Sequence, residues 1–289
     1  MNQSLGQQLY HAYGLKQGYC IPMADVSSEK REAWSKAFSK VNLRGDTSKF
    51  KDSGVFLVLS QECDIACRDD LLDSSVELVA CKKIKEKTVY PGNLFVSSVR
   101  KFQFQIGSDW YEANVEYILN VEKSEILEVL SEAGEGILKK PNDIYMASVP
   151  MWRANRYMRS ALPDEFNDVL NPALKEHMPI IDDSARHDNG SYIKAIYVLV
   201  ESGEISGCYE FEFFALLDSS ASNEVLSKVQ DDMEALCDSI SSSQGFFDKS
   251  DIYADRETSI FVSFLIRFVR LNVDTYSLSK GEDEFGLQV

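Results

Sequence analysis

The sequence predicts an α+β fold: an N-terminal antiparallel, barrel-like domain with a helical extension, followed by a small C-terminal α+β domain. Three observations predict it. The continuously apolar run Val55-Phe56-Leu57-Val58-Leu59 reads as a strand covered on both faces. Apolar and polar residues alternate along Phe102-Gln103-Phe104-Gln105-Ile106, as in a strand with one wet face. Val225, Val229, Met233, Leu236 and Ile240 recur at helical spacing downstream of two further apolar runs. At 289 residues the chain is longer than most single cores, so more than one domain is expected, and its 44% hydrophobic content is enough to fill them.

In chain order, Trp34, Ala37, Phe38 and Val41 predict a helix over Ser27 to Lys40, and the polar segment Val41 to Gly54 a loop. The apolar strand at Val55 follows. After the acidic turn Asp69 to Ser75, Val76 to Cys81 returns as a second strand, trailed by Lys82, Lys83, Lys85 and Lys87, which read as a solvated edge. Phe102 to Ile106 should pair with Tyr111 to Val121 across Gly107-Ser108-Asp109. Lys123 to Ala133 predicts a helix with Ile126, Leu127 and Leu130 on one stripe, and Met151 to Leu162 another, stopped by Pro163. Asn171 to Gly190, with two prolines and a polar run, reads as a linker. Beyond it come strands Ile193 to Glu201 and Cys208 to Leu217, a helix from Asn223 to about Ser241, and a strand pair near Ile260 to Tyr276. The domains expected are therefore 1–122, β-rich and barrel-like, a helical segment and linker at 123–190, and an α+β domain at 191–289.

The 46 acidic residues outnumber the 30 basic ones, for a net charge of -16. A surface of that sign repels phosphate backbones, so nucleic acid is expected only at a local basic site, and a protein partner is the more general expectation. The six cysteines are scattered through a long chain, the N-terminus lacks a basic-then-apolar leader, and no apolar run reaches the roughly 18 residues of a membrane span. These features predict a cytoplasmic protein with reduced thiols and no membrane contact. No cofactor fingerprint is present, and none is expected.

Two constellations could carry chemistry. Ser60-Gln61-Glu62-Cys63-Asp64 ends the buried strand, where a rigid element delivers polar groups to the surface. There Cys63 is a candidate nucleophile, Asp64 a candidate general base or metal ligand and Gln61 a candidate amide donor, against the alternative that Ser60 and Asp64 bond nearby backbone amides in a turn while Cys63 is buried packing. Cys63 and Cys67 form one loose pair, too little for a tetrahedral zinc site, and no metal is expected. Arg153, Arg156 and Arg159 recur every third residue, and guanidinium forks on one helix face suit a phosphate. Their alternative role is to pair with carboxylates of the other domain, Asp164 and Glu165 among the nearest in sequence, and fasten the two halves.

The order Lys16-Gln17-Gly18, then Ser60-Gln61-Glu62-Cys63-Asp64, then Arg156-Tyr157-Met158-Arg159 with Pro163 resembles a group of uncharacterised bacterial proteins. That group carries Gln-Gly-Asp, Ser/Thr-Gln-x-Cys-Asp and Arg-Tyr-x-Arg-x-x-x-Pro motifs; the likeness spans roughly residues 15 to 170 and implies no activity. More distantly, Gly18, Val58-Leu59-Ser60 and the return strand resemble the PemK/MazF-like toxin barrels, which cleave RNA, and this implies an SH3/PemK-like barrel. Tyr19 stands where those barrels carry aspartate, and the arginine before their Val-Leu-Ser strand is absent, so the resemblance implies the barrel and not the ribonuclease. Two roles are expected: an accessory or effector protein of a toxin or antiviral-defence system, with nuclease-like activity lacking a recognised motif, or a non-catalytic interaction or regulatory subunit with an acidic docking surface.

Overall fold

The structure is a computed structural model that describes residues 3–95, 98, 100–134, 136–155, 162–188, 190–203 and 207–271. It forms two compact units, Met1–Val89 with Val99–Tyr157, and Tyr90–Ser98 with Met158–Val289.

The first unit opens on helix α1 (Leu5–His11), closed at its N-terminus by a reciprocal capping box between Ser4 and Gln7. There follow β1 (Cys20–Pro22), α2 (Ser28–Ser35), β2 (Val55–Val58), the one-turn helix α3 (Glu62–Ile65) and β3 (Ser75–Ile84). The hairpin β4 (Lys101–Ile106) and β5 (Asp109–Glu122) leads into α4 (Lys123–Ala133), α5 (Asp143–Met146) and α6 (Ser148–Asn155). Phe56, Val58, Leu78 and Leu119 share a core with Leu9, Trp34, Ile126 and Leu130. The alternate residues Val55 and Leu57 are buried outside that core, so β2 is covered on both faces as its continuous apolar run requires. On β4 and β5 an aromatic layer meets the later helices: Phe102 stacks on Trp152 at 5.7 Å, and Trp110 meets Tyr145 edge-on at 5.9 Å.

The SH3/PemK-like barrel is corrected. The five strands form an open antiparallel sheet of order β1-β2-β3-β5-β4, whose end strands do not pair. Closure needs the two edges to meet. Here β1 is three residues long and its outer edge is occupied by the chain at Lys139: Cys20 N–H donates to Lys139 O at 2.8 Å, and Lys139 N–H to Cys20 O at 2.9 Å. Helix α2 is also shorter than its periodicity implies. It stops at Ser35, because Ala37 to Ser39 leave the helix to bond β5: Ser39 N–H donates to Ile118 O at 2.8 Å, and Phe38 bridges Leu119.

In the second unit, α7 (Asp164–Ala185) leads through a short hairpin, β6 (Arg186–His187) and β7 (Gly190–Ser191), to the antiparallel pair β8 (Ile193–Ser202) and β9 (Tyr209–Leu217). Helix α8 (Asn223–Ser241) is followed by β10 (Phe246–Asp248), β11 (Ala254–Arg256), α9 (Val262–Leu265) and β12 (Val269–Arg270). The short strands β10 and β11 both run parallel to β9, and β12 pairs with β8. Helices α7 and α8 share one core with Ile196, Phe211 and Phe213 of the sheet.

The second half of α7 occupies most of the segment expected to be a linker. Pro172 and Pro179 lie inside the helix, where each removes a backbone donor at a cost of about 3 kcal/mol. Leu170, Leu174, Met178, Ile181 and Ala185 are nonetheless buried at helical spacing, and that apolar stripe outweighs the prolines. The strand pair expected near Ile260 is, among the described residues, the short helix α9 and the two-residue β12.

Candidate functional site

The segment at Gln17 and Gly18, the strand end at Ser60 and helix α6 meet where β2 leaves the sheet. Leu59 N–H donates to Glu77 O at 2.8 Å, and Glu77 N–H donates to Ser60 Oγ at 2.8 Å, so the serine side chain continues the ladder one step beyond β2. Gln17 Nε2 donates to Leu59 O at 2.7 Å, and Gly18 N–H to Val58 O at 2.9 Å. Gly18 has a φ of +82°, and a Cβ there would stand 2.9 Å from Met146 Cε, so the turn and its packing both call for glycine. From α6, Arg153 forks onto Glu77, Nε to Oε2 at 2.9 Å and Nη2 to Oε1 at 2.8 Å. Both side chains are about three-quarters buried, with 24% exposure each.

Glu77 is the residue that sequence reasoning passed over. It sits in an apolar strand, and its signal was register: once Val58 pairs with Leu78, Glu77 falls opposite Leu59 and within reach of the Ser60 hydroxyl. Of the three arginines, Arg153 on α6 is held near the Ser60 strand end by a carboxylate. Arg156 and Arg159 lie outside the described residues.

Past Ser60, Gln61, Glu62, Cys63 and Asp64 are exposed, and Ile65 anchors α3 in the core. Gln61 occupies the N-cap position but makes no side-chain capping bond. The Cys63 thiol points to Asp64 Oδ1 at 3.3 Å and Gln61 Oε1 at 3.6 Å. Its bond to the Asp64 carboxylate raises the thiol above its ordinary range, the opposite of what a thiolate nucleophile needs. So the structure brings Gln61, Cys63 and Asp64 together and gives them to one another.

The base of this turn is held from below. Lys123, fully buried at the start of α4, donates from Nζ to Asp64 O at 2.7 Å. A cation at a helix N-terminus opposes the macrodipole of its own helix. The carbonyl at the end of α3 supplies the compensation. Helix α1 closes over the neighbouring carbonyls at Gly6, where a Cβ would fall 2.2 Å from Ile65 O and 2.9 Å from Cys67 O.

Cys20 and Cys81 are fully buried, and burial pushes both thiols well up. Among the described residues no group of His, Cys, Asp and Glu has the geometry to hold a metal ion, and no helix is long and apolar enough to cross a membrane. Protein-family models, curated proteins and solved structures yield no match to the chain.

Proposed function

We propose that this chain is a non-catalytic protein-interaction or regulatory module with an acidic docking surface. The observation that carries the reading is the Arg153–Glu77 fork: the guanidinium that would take a phosphate is already bidentately bonded to a carboxylate, about three-quarters sheltered from water. Around it, Ser60 completes a strand ladder, Gln17 caps a strand carbonyl and the Cys63 thiol donates to Asp64, which raises it above its ordinary range. Each is an architectural use of a group that catalysis would leave available. A net charge of -16 then favours a basic protein partner over a polyanion.

The test is a binding and cleavage assay with labelled single-stranded RNA and duplex DNA at about 50 mM salt, where phosphate contacts are strongest. No saturable binding and no cleavage are expected. Binding that weakens steeply with salt and is lost in Arg153→Glu would overturn the reading in favour of a nucleic-acid effector.

A further inference from the structure

A groove runs between α1 and α4, lined by Leu5, Ser124, Leu127, Glu128, Ser131 and Glu132. At its Leu5 end stands the loop that follows α3, clamped to the N-terminus of α1. The Asp70 carboxylate accepts from Leu5 N–H at 3.0 Å and Gly6 N–H at 3.3 Å, and Ser4 Oγ donates to Cys67 O at 2.9 Å. Within the loop, Leu71 N–H donates to Asp69 Oδ1 at 3.0 Å. On this pinned base Leu71 and Leu72 are 96% and 82% exposed. Two adjacent leucines in water on a loop held at its foot are a pre-organised apolar tip, which loses little conformational entropy on binding.

Carboxylates predominate here: Glu128 and Glu132 line the groove and Asp69 and Asp73 belong to the loop, against the cations Arg68 in the loop and Lys30, which is paired with Glu128. A groove between two helices receives a third helix through anchors at i, i+3, i+4 and i+7. The eleven residues of α4 span about 16 Å, the length of roughly three helical turns.

We propose that this face docks a basic amphipathic helix of a partner protein. Its apolar side would lie along Leu5 and Leu127 and end against Leu71 and Leu72, and its lysines and arginines would meet the acidic rim. The proposal rests on the interaction reading above and names the surface and the partner's chemistry.

The probe is a fluorescein-labelled helical peptide of about four turns, with leucines at i, i+3, i+4 and i+7 and lysines on the flanks. Two controls accompany it: the same composition scrambled, and the same pattern with glutamate for lysine. The amphipathic basic peptide is expected to bind saturably and more weakly as salt rises. Binding should fall at least about tenfold in Leu71→Ser/Leu72→Ser and again in Glu128→Gln/Glu132→Gln. All four side chains are exposed, and circular dichroism checks that the variants stay folded. No binding of the peptide, equal binding of the scrambled control, or binding unchanged by the leucine variant overturns the proposal. Self-association in sedimentation that disappears in the leucine variant also overturns it, and assigns the face to a second copy. If the peptide fails while RNA and DNA also stay unbound, only the surface assignment falls; nucleic-acid binding would instead remove the interaction reading itself.

Discussion

At the exit of β2 the polar side chains are bonded to neighbours in the same unit, whereas a few residues later Leu71 and Leu72 are left in water. Polar residues gathered at a strand end suggest chemistry, and exposed leucines usually suggest nothing. Here the weights reverse. The gathered residues hold backbone carbonyls and each other, and so stiffen the base on which the apolar tip stands.

The largest test of that stiffness is Gly6→Ala. The atoms a new Cβ would strike are backbone carbonyl oxygens, which cannot turn aside as a side chain would. α1 and the α3 turn must separate, at a cost of about 3 kcal/mol in urea unfolding. An unchanged midpoint would show that α1 does not clamp the turn.

Next comes Lys123→Met, which keeps the chain length and removes the donor to Asp64 O. The carbonyl keeps the Cys67 N–H at 3.3 Å, so what is lost is the charge-assisted bond alone, at about 2 kcal/mol. Hydrogen exchange should then rise locally at Ile65 to Cys67, whereas a uniform loss across the unit would give Lys123 a role in packing alone.

Arg153→Ala and Glu77→Ala are smaller, each about 1 to 2 kcal/mol, since the pair is partly exposed and screened. A double-mutant cycle should return a coupling of about 1 kcal/mol. Zero coupling would free Arg153 for another ligand and reopen the phosphate reading.

These contrasts also show what was legible in the sequence. Periodicity found β2, the β4–β5 hairpin, α4 and α8, because each presents an apolar pattern that only one element satisfies. It misread α7, where two prolines were weighed locally and the burial of Leu174 and Ile181 is a tertiary effect. It could not tell a barrel from an open sheet, since that depends on whether Lys139 or β4 takes the edge of β1. At the site, Ser60 to Asp64 stood out by composition. Their partners Glu77, Lys123 and Gly6 did not, because a carboxylate on a strand, a lysine opening a helix and a glycine inside one are each ordinary until register and packing bring them to the turn.

The finest probe of the contrast is Cys63 itself. Its thiol is exposed, so access does not limit alkylation; the thiolate fraction does. Asp64 holds the thiol above its ordinary range, which keeps that fraction low near pH 8. Asp64→Asn removes the charge, so the thiol should ionise at lower pH and react with iodoacetamide a few-fold faster, with the rate profile displaced downward in pH. Peptide mapping separates Cys63 from the half-buried Cys67, whose Sγ donates to Asp69 O instead and whose rate should not move. If the variant reacted more slowly, Asp64 would be acting as a base toward Cys63 rather than as its hydrogen-bond acceptor, and the nucleophile reading would regain the support that the Cys63–Asp64 bond now denies it.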